Sequence, residues 1–144
     1  MKPTEIVATA ADYEMDGTMW VAVTVLEDSN TYLYKSLGHG IYWEYRFALA
    51  RSGDVFDKLG LVVGEGDSGF VHLFYLTSSQ NGDLWEVRFR EGGSPQQLPV
   101  WVGPDTITDF AVCRDYTGSN YWLYAATINE QSPGSNRALC FHRS

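Results

Sequence analysis

The stretch Met19–Leu26, MWVAVTVL, decides the fold, because two similar runs follow it at equal intervals along the chain. FVHLFYLT starts at Phe70 and YWLYAATI at Tyr121, so consecutive starts lie 51 residues apart. All three runs are rich in β-branched and aromatic residues, and a cluster of turn-forming residues precedes each of them. We interpret them as equivalent strands of an internal repeat.

Each unit of this repeat contains further strand-like runs around its central run. EIVATAA, KLGLVV and ITDFAVC precede the central runs; TYLYKS and IYWEYRFALA follow in the first unit, DLWEVRF and QQLPVWV in the second, and RALCFHRS in the third. The sequence therefore predicts four, four and three strands. The units span approximately residues 5–52, 53–104 and 105–144 of a single domain.

Four antiparallel strands that recur at this spacing are typical of the blades of a β-propeller. Central runs with few charged residues, such as VAVTV and HLFYL, are expected in a sheet that is covered on both faces. We therefore predict an all-β fold with about three propeller blades in the chain. The alternative is a β-sandwich or an up-and-down barrel in which the equal spacing arises by chance.

Composition limits the class of protein further. The 144 residues include 9 Tyr, 7 Phe and 5 Trp, whereas only 19% are charged, which argues against a helix-rich fold. The net charge of -8, without any basic cluster, excludes nucleic acid and anionic membranes as expected partners. The N-terminal MKPTEIVATA lacks the apolar core of a signal peptide, and no run of about 18 apolar residues occurs. No compartment is predicted.

The octet SLGHGIYW, residues 36–43, joins the last two strand-like runs of the first unit. It resembles the Asp-box, or BNR repeat, the S-x-D-x-G-x-T-W hairpin of sialidase-type β-propellers. Ser36, Gly40 and Trp43 match that motif, whereas Gly38 replaces its aspartate and Tyr42 its threonine. The resemblance implies a propeller in which Gly40 adopts a positive φ and Trp43 buries its ring between strands.

The sequence assigns no catalytic residues. Arg46 and Arg51 do not match the arginine motif with which sialidases hold their substrate. GEGDSG, residues 64–69, matches a dinucleotide loop and a protease nucleophile loop, but a strand-like run follows it and the protease's histidine motif is missing. We interpret this segment as a turn. A sialidase-like glycoside hydrolase, active only in a completed propeller, is the alternative to a non-enzymatic protein.

We also predict no metal and no cofactor. Cys113 and Cys140 fall on the first and third strands of the third unit, about 9.5 Å apart, which is too far for a disulfide. We expect both to be buried free thiols, and two cysteines do not make a zinc site. The acidic turns lack the regular oxygen ligands of a calcium loop.

The chain is too short for a closed ring. It holds about 2.8 units of 51 residues, whereas closed propellers carry four to eight blades. An open end would expose a large apolar sheet face, which monomers avoid. We therefore expect partners: a second copy, giving a six-bladed homodimer, or the remaining blades of a longer propeller.

The function predicted from these observations is a non-enzymatic binding or scaffold protein. Tryptophans that line a central channel stack on sugar rings in repeated-blade lectins, which makes a glycan the candidate ligand. The candidate residues are Trp20, Trp43, Trp85, Trp101 and Trp122. A structural role in the core between blades is the competing interpretation of the same residues, and a half-propeller without any ligand is a third hypothesis.

Overall fold

A computed structural model of the chain describes residues 5–14, 16–28, 30–50, 58–63, 69–76, 82–102, 106–114, 121–128, 132, 134, 136 and 138–143. These residues form eleven strands: β1 (Ile6–Tyr13), β2 (Met19–Val25), β3 (Asn30–Ser36), β4 (Trp43–Ala50), β5 (Lys58–Val63), β6 (Phe70–Leu76), β7 (Leu84–Arg90), β8 (Gln96–Trp101), β9 (Thr106–Arg114), β10 (Tyr121–Ile128) and β11 (Ala138–Arg143). Within these ranges, no helix has the length and hydropathy needed to cross a bilayer. The predicted all-β class is confirmed.

The strands form three antiparallel sheets in which each strand pairs with its neighbours in the chain. The first sheet contains β1–β4, the second β5–β8 and the third β9–β11. The expected four, four and three strands are therefore present among the described residues. Met19, Phe70 and Tyr121 are each the first residue of the second strand of a sheet, as the repeat predicted.

The three sheets stack in chain order and spread apart from one edge. The first strands β1, β5 and β9 lie side by side, whereas the outer strands β4, β8 and β11 make no comparable contact with one another in the described part of the chain. Sheets that diverge in this way have the arrangement of propeller blades around an axis. Their separation also excludes a single closed barrel.

The core between the first two sheets is built from alternating positions of their strands. Trp20, Ala22 and Leu33 of the first sheet pack against residues such as Val71 and Leu73 of the second. Because side chains alternate across a strand, these positions leave every second residue of the first sheet on its opposite face. Each large apolar side chain buried here contributes about 1.5–3 kcal/mol.

The second sheet buries its other face against the third. Phe74 and Leu84 pack there against Phe110 and Leu123. Gly60 on β5 is required for this contact, because a Cβ at that position would lie 2.8 Å from the Phe110 ring. The second sheet is therefore covered on both faces.

Corresponding positions in the first two sheets lie on different faces of their sheets. Trp20 faces the second sheet, whereas Val71, one interval later, faces back towards the first. Side chains alternate only within one strand, so the way each strand sits in its sheet decides the face, and the length of the interval does not. Trp122, at the same position in the third sheet, points away from the second sheet, as Trp20 of the first sheet points towards its following sheet.

Candidate functional site

The first sheet has an outer face on which no other sheet of the described chain packs; only Arg114 reaches its edge, over the Tyr13 ring. Strand pairing places on it every second residue of β1 to β4. Its main residues are Thr9, Ala11, Tyr13, Met19, Val21, Val23, Tyr32, Tyr34, Trp43 and Tyr45. None of the described strand residues on this face is charged. We call this surface the first open face.

An apolar hollow lies within the first open face. Val21, Tyr34 and Trp43 line it, and its volume is about 210 Å³. The Tyr45 ring packs edge-on against Tyr34 with 6.2 Å between ring centroids, which fixes one wall of the hollow. The hollow is therefore shaped by aromatic rings on neighbouring strands.

Tyr32 lies on the first open face and is hydrogen-bonded at its edge. Its hydroxyl donates a hydrogen bond to the Asp28 carboxylate, which raises the pKa of Tyr32 above its ordinary value and lowers the pKa of Asp28. Asp28 follows β2 and lies at the rim of the face. The negative charge of Asp28 therefore lies outside the aromatic residues of the first open face.

The third sheet has a corresponding outer face, which we call the second open face. Along β10 buried and exposed residues alternate, and the exposed set points away from the second sheet. Its main residues are Ala111, Cys113, Trp122, Tyr124, Ala126, Ile128, Ala138 and Cys140, and the exposed Asp109 lies opposite Ala126. Trp122 is 37% exposed and Tyr124 49%. Both ends of the stack therefore expose aromatic side chains.

The expectation that the two cysteines are buried is wrong. Cys113 and Cys140 are free, as expected, but both are exposed. They lie on the strands flanking β10, with Cys113 opposite Trp122 and Cys140 opposite Tyr124. They are accessible because their side of the third sheet carries no further sheet.

A polar contact joins all three sheets at the ends of their first strands. The Asp12 carboxylate accepts a hydrogen bond of 2.8 Å from the Val63 backbone N–H, and Arg114 donates to the same carboxylate. Arg114 also donates to the Tyr13 carbonyl oxygen at 3.0 Å. The guanidinium group thus reaches from the third sheet across the second to the first, and fixes the angle of the stack near its axis.

A second polar cluster is buried between the second and third sheets. Glu86 is only 2% exposed, and its carboxylate lies 2.5 Å from His72 Nδ1. The Tyr121 hydroxyl is 3.3 Å from the same nitrogen, and Arg88 Nε is 3.6 Å from Glu86. Buried carboxylates need such partners, so the cluster specifies how these two sheets meet. The His72 and Arg88 side chains remain 13% and 35% exposed.

The octet at residues 36–43 forms a tight turn at the end of β3. Ser36 is fully buried, and its Oγ accepts hydrogen bonds from the backbone N–H groups of Gly40 at 2.9 Å and Gly38 at 3.4 Å. Gly40 has a φ of 87°, as expected. The expected burial of Trp43 is wrong, because it is 43% exposed on the first open face.

Replacing Ser36 by alanine is expected to lower the free energy of unfolding by about 1–3 kcal/mol, because two backbone N–H groups lose their acceptor. Thermal and urea denaturation measure this loss. Ser94 lies exposed in the turn between β7 and β8 and provides the control, since Ser94→Ala should change stability by less than about 0.5 kcal/mol. Equal effects of the two substitutions would contradict the role of the Ser36 hydroxyl.

The five candidate tryptophans do not share one pocket. Trp20 and Trp85 lie in the core between the first two sheets, and Trp101 packs between the second and third. Trp43 and Trp122 lie on opposite open faces. The described residues contain no group of three or more His, Cys, Asp or Glu side chains that could hold a metal ion. Most of GEGDSG, residues 64–68, lies outside the described residues.

The open faces were predicted from the sequence only in part. The shortage of blades predicted bare sheet faces, but it did not identify which residues lie on them. That information is in the register of the strands, because a shift of one residue exchanges the two faces of a strand. The contact of Asp12 with Arg114 was not predicted, since it joins residues 102 positions apart in the chain. The contact of His72 with Glu86 lies between neighbouring strands, and it was not predicted because it depends on their register.

Similar folds occur among solved structures. A crystal structure of a protein of unknown function from Dyadobacter fermentans DSM 18053 aligns with 91% of this chain at 13% sequence identity and a TM-score of 0.64. The alignment covers 40% of that protein, so this chain spans less than half of its length. The two proteins share a fold over this region.

A GH43 β-1,3-galactosidase in complex with galactodeoxynojirimycin aligns with 93% of this chain and 70% of its own, at 9% identity and a TM-score of 0.35. A TM-score at that level does not establish a common fold. No protein-family model and no curated protein sequence matches this chain.

Proposed function

We propose that this chain is a non-enzymatic scaffold or binding protein of the β-propeller type, in which two copies close one ring. The observation that carries the proposal is the pair of uncovered aromatic faces at the two ends of the stack. Contiguous apolar surfaces of this kind mark interaction sites. A scaffold is favoured over an enzyme because the Glu86 carboxylate is only 2% exposed between two sheets.

The two open faces are of complementary kinds. We call the face of a sheet that points towards the next sheet in the chain its following face, and the opposite face its preceding face. The following face of the first sheet packs on the preceding face of the second, and the second and third sheets pack in the same way. The first open face is an unpaired preceding face, and the second open face is an unpaired following face. A second copy supplies the missing partner for both, and assembly around a twofold axis then leaves neither exposed.

The number of sheets and the area agree with such a ring. Two copies provide six sheets, within the range of four to eight found in closed propellers. From strand spacing and rise, the two junctions would cover roughly 1,600 Å² of sheet face. A specific and stable interface buries about 1,200–2,000 Å².

The resemblance of residues 36–43 to the Asp-box supports a sialidase-like origin of the propeller. Ser36 and Gly40 stabilise the turn through the hydrogen bonds and the positive φ described above. This origin concerns the fold and does not assign an activity.

Carbohydrate binding by a single copy is the second candidate function, supported by the aromatic hollow at Tyr34 and Trp43. Aromatic rings at a surface hollow stack on sugar rings. This role competes with assembly, because a second copy would cover the same hollow.

The mass of the particle in solution tests the proposed function. Sedimentation equilibrium at micromolar concentrations should give twice the mass of the chain, because both apolar faces are covered only in the dimer. A soluble monomer would contradict the proposal, as would open-ended polymers or precipitation, which indicate that other blades cover the faces. If the monomer binds oligosaccharides in calorimetry and Trp43→Ala abolishes that binding, the second candidate replaces the first.

A further inference from the structure

We infer that Trp122 of each copy inserts into the hollow of Val21, Tyr34 and Trp43 on the other copy and is the anchor of the assembly. This inference rests on the proposed pairing of two copies and names the residues that meet. It also specifies that the first open face of one copy contacts the second open face of the other copy. Two first open faces do not contact each other, and neither do two second open faces.

Trp20 occupies the position in the first sheet that Trp122 occupies in the third, but a further sheet packs on Trp20. Each is the second residue of the second strand of its sheet, and each points towards the side of a following sheet. Trp20 has such a sheet and is only 2% exposed, with its ring 6.4 Å from that of Phe89 in an edge-on contact. Trp122 has the same position without a following sheet and is 37% exposed.

The hollow occupies the place on the first sheet that corresponds to the site receiving Trp20 on the second. Phe89 and Val71 are cross-strand partners there, and both lie in the core that contains Trp20. Tyr34 and Val21 are cross-strand partners at the corresponding strands of the first sheet. Together with Trp43 they line the hollow of about 210 Å³, which has room for an aromatic ring system.

Chemistry on both sides agrees with this contact. The hollow is lined by one aliphatic and two aromatic side chains, without a charged group. Tryptophan is the residue type most often found to dominate the binding free energy of an interface, particularly in a desolvated pocket. Burial of the indole would also cover Cys113, its cross-strand neighbour.

Replacement of Trp122 by alanine tests the anchor directly. The dissociation constant of the dimer, measured by sedimentation velocity, should rise by at least about 30-fold. Trp122 is 37% exposed in the single chain, and circular dichroism should show that the variant keeps the fold of the unmodified protein. Ile41→Ala is the matched control: Ile41 is 74% exposed in the turn before β4, outside both open faces, and its removal should leave the constant unchanged. Equal constants for Trp122→Ala and unmodified protein would overturn the inference.

The two exposed cysteines provide a measurement on the unmodified protein. Cys113 and Cys140 lie on the second open face and should react quickly with a soluble thiol reagent in dilute monomer. In the dimer their reaction should slow by at least about tenfold, because the first open face of the partner covers them. A dimer whose thiols react at the monomer rate would overturn this inference and leave the proposed function intact. Absence of any dimer would overturn both.

A mixing experiment distinguishes the two ways in which the faces could pair. Val21→Asp places a charge on the first open face and Ala111→Asp, opposite Tyr124, on the second. In the inferred arrangement each variant alone is monomeric, because both junctions of its dimer would contain the charged face. An equimolar mixture should form a one-to-one complex, because one of its two junctions joins two unsubstituted faces. If either variant alone dimerises, equivalent faces pair with each other and the inference is wrong.

Discussion

Replacing Glu86 by alanine is expected to lower the free energy of unfolding by about 3–5 kcal/mol, because it removes the buried anion that pairs with His72 and Arg88. Glu86 is 2% exposed, and water does not replace the lost interaction. His72 Nδ1 loses a partner at 2.5 Å, and Tyr121 remains beside it at 3.3 Å. Urea denaturation followed by circular dichroism measures the change.

The control for this prediction is an ion pair that remains in contact with water. Glu44 accepts a hydrogen bond of 2.8 Å from Arg46, and its side chain is 52% exposed. Glu44→Ala should therefore cost less than about 1 kcal/mol. Glu86→Gln should lie between the two, since the amide keeps its shape and an acceptor oxygen. A cost below about 1 kcal/mol for Glu86→Ala would show that the cluster does not hold the second and third sheets together.

The fold was largely predictable because strands and turns are encoded locally. The runs starting at Met19, Phe70 and Tyr121 combine β-branched and aromatic residues with preceding turn clusters, and all three became strands. Their equal spacing indicated separate units of the same kind, which the three sheets confirm. None of this required knowledge of which residues meet across sheets.

The faces of the strands were not predictable from the spacing alone. Trp20 and Val71 are separated by one interval, and yet each faces the other's sheet, so corresponding positions of the repeat do not lie on corresponding faces. Trp43 and Cys113 were expected to be buried, since a strand residue of their type is buried wherever a sheet covers it. Their exposure follows from the position of their sheets at the ends of the stack.

Long-range polar contacts could not be predicted from the sequence either. Asp12 and Arg114 meet only because β1, β5 and β9 converge at one edge of the stack. Their positions coincide with the interval of 51 residues on either side of Val63, but a repeat of unlike residues carries no recognisable signal. The contact is a consequence of the fold, and it then fixes how the sheets are oriented.

Replacing Trp20 by alanine is expected to cost about 3–5 kcal/mol of folding free energy, the usual loss when a fully buried large aromatic side chain is removed. The substitution opens a cavity between the first two sheets. It also removes the hydrogen bond of 2.9 Å that the indole donates to Glu14 and the contact of its ring with Lys35 at 5.2 Å. Thermal denaturation should show a large decrease in the melting temperature.

Trp122→Ala is the matched comparison, because the two tryptophans occupy corresponding positions and differ in whether a sheet follows. In a solution dilute enough to be monomeric, Trp122→Ala should cost clearly less than Trp20→Ala, since Trp122 is 37% exposed and Trp20 only 2%. At high concentration the same variant should lose stability relative to unmodified protein, because binding to a second copy stabilises only the latter. A large cost for Trp122→Ala in the monomer would mean that the second open face is packed within the single chain, and the ring of two copies would lose its basis.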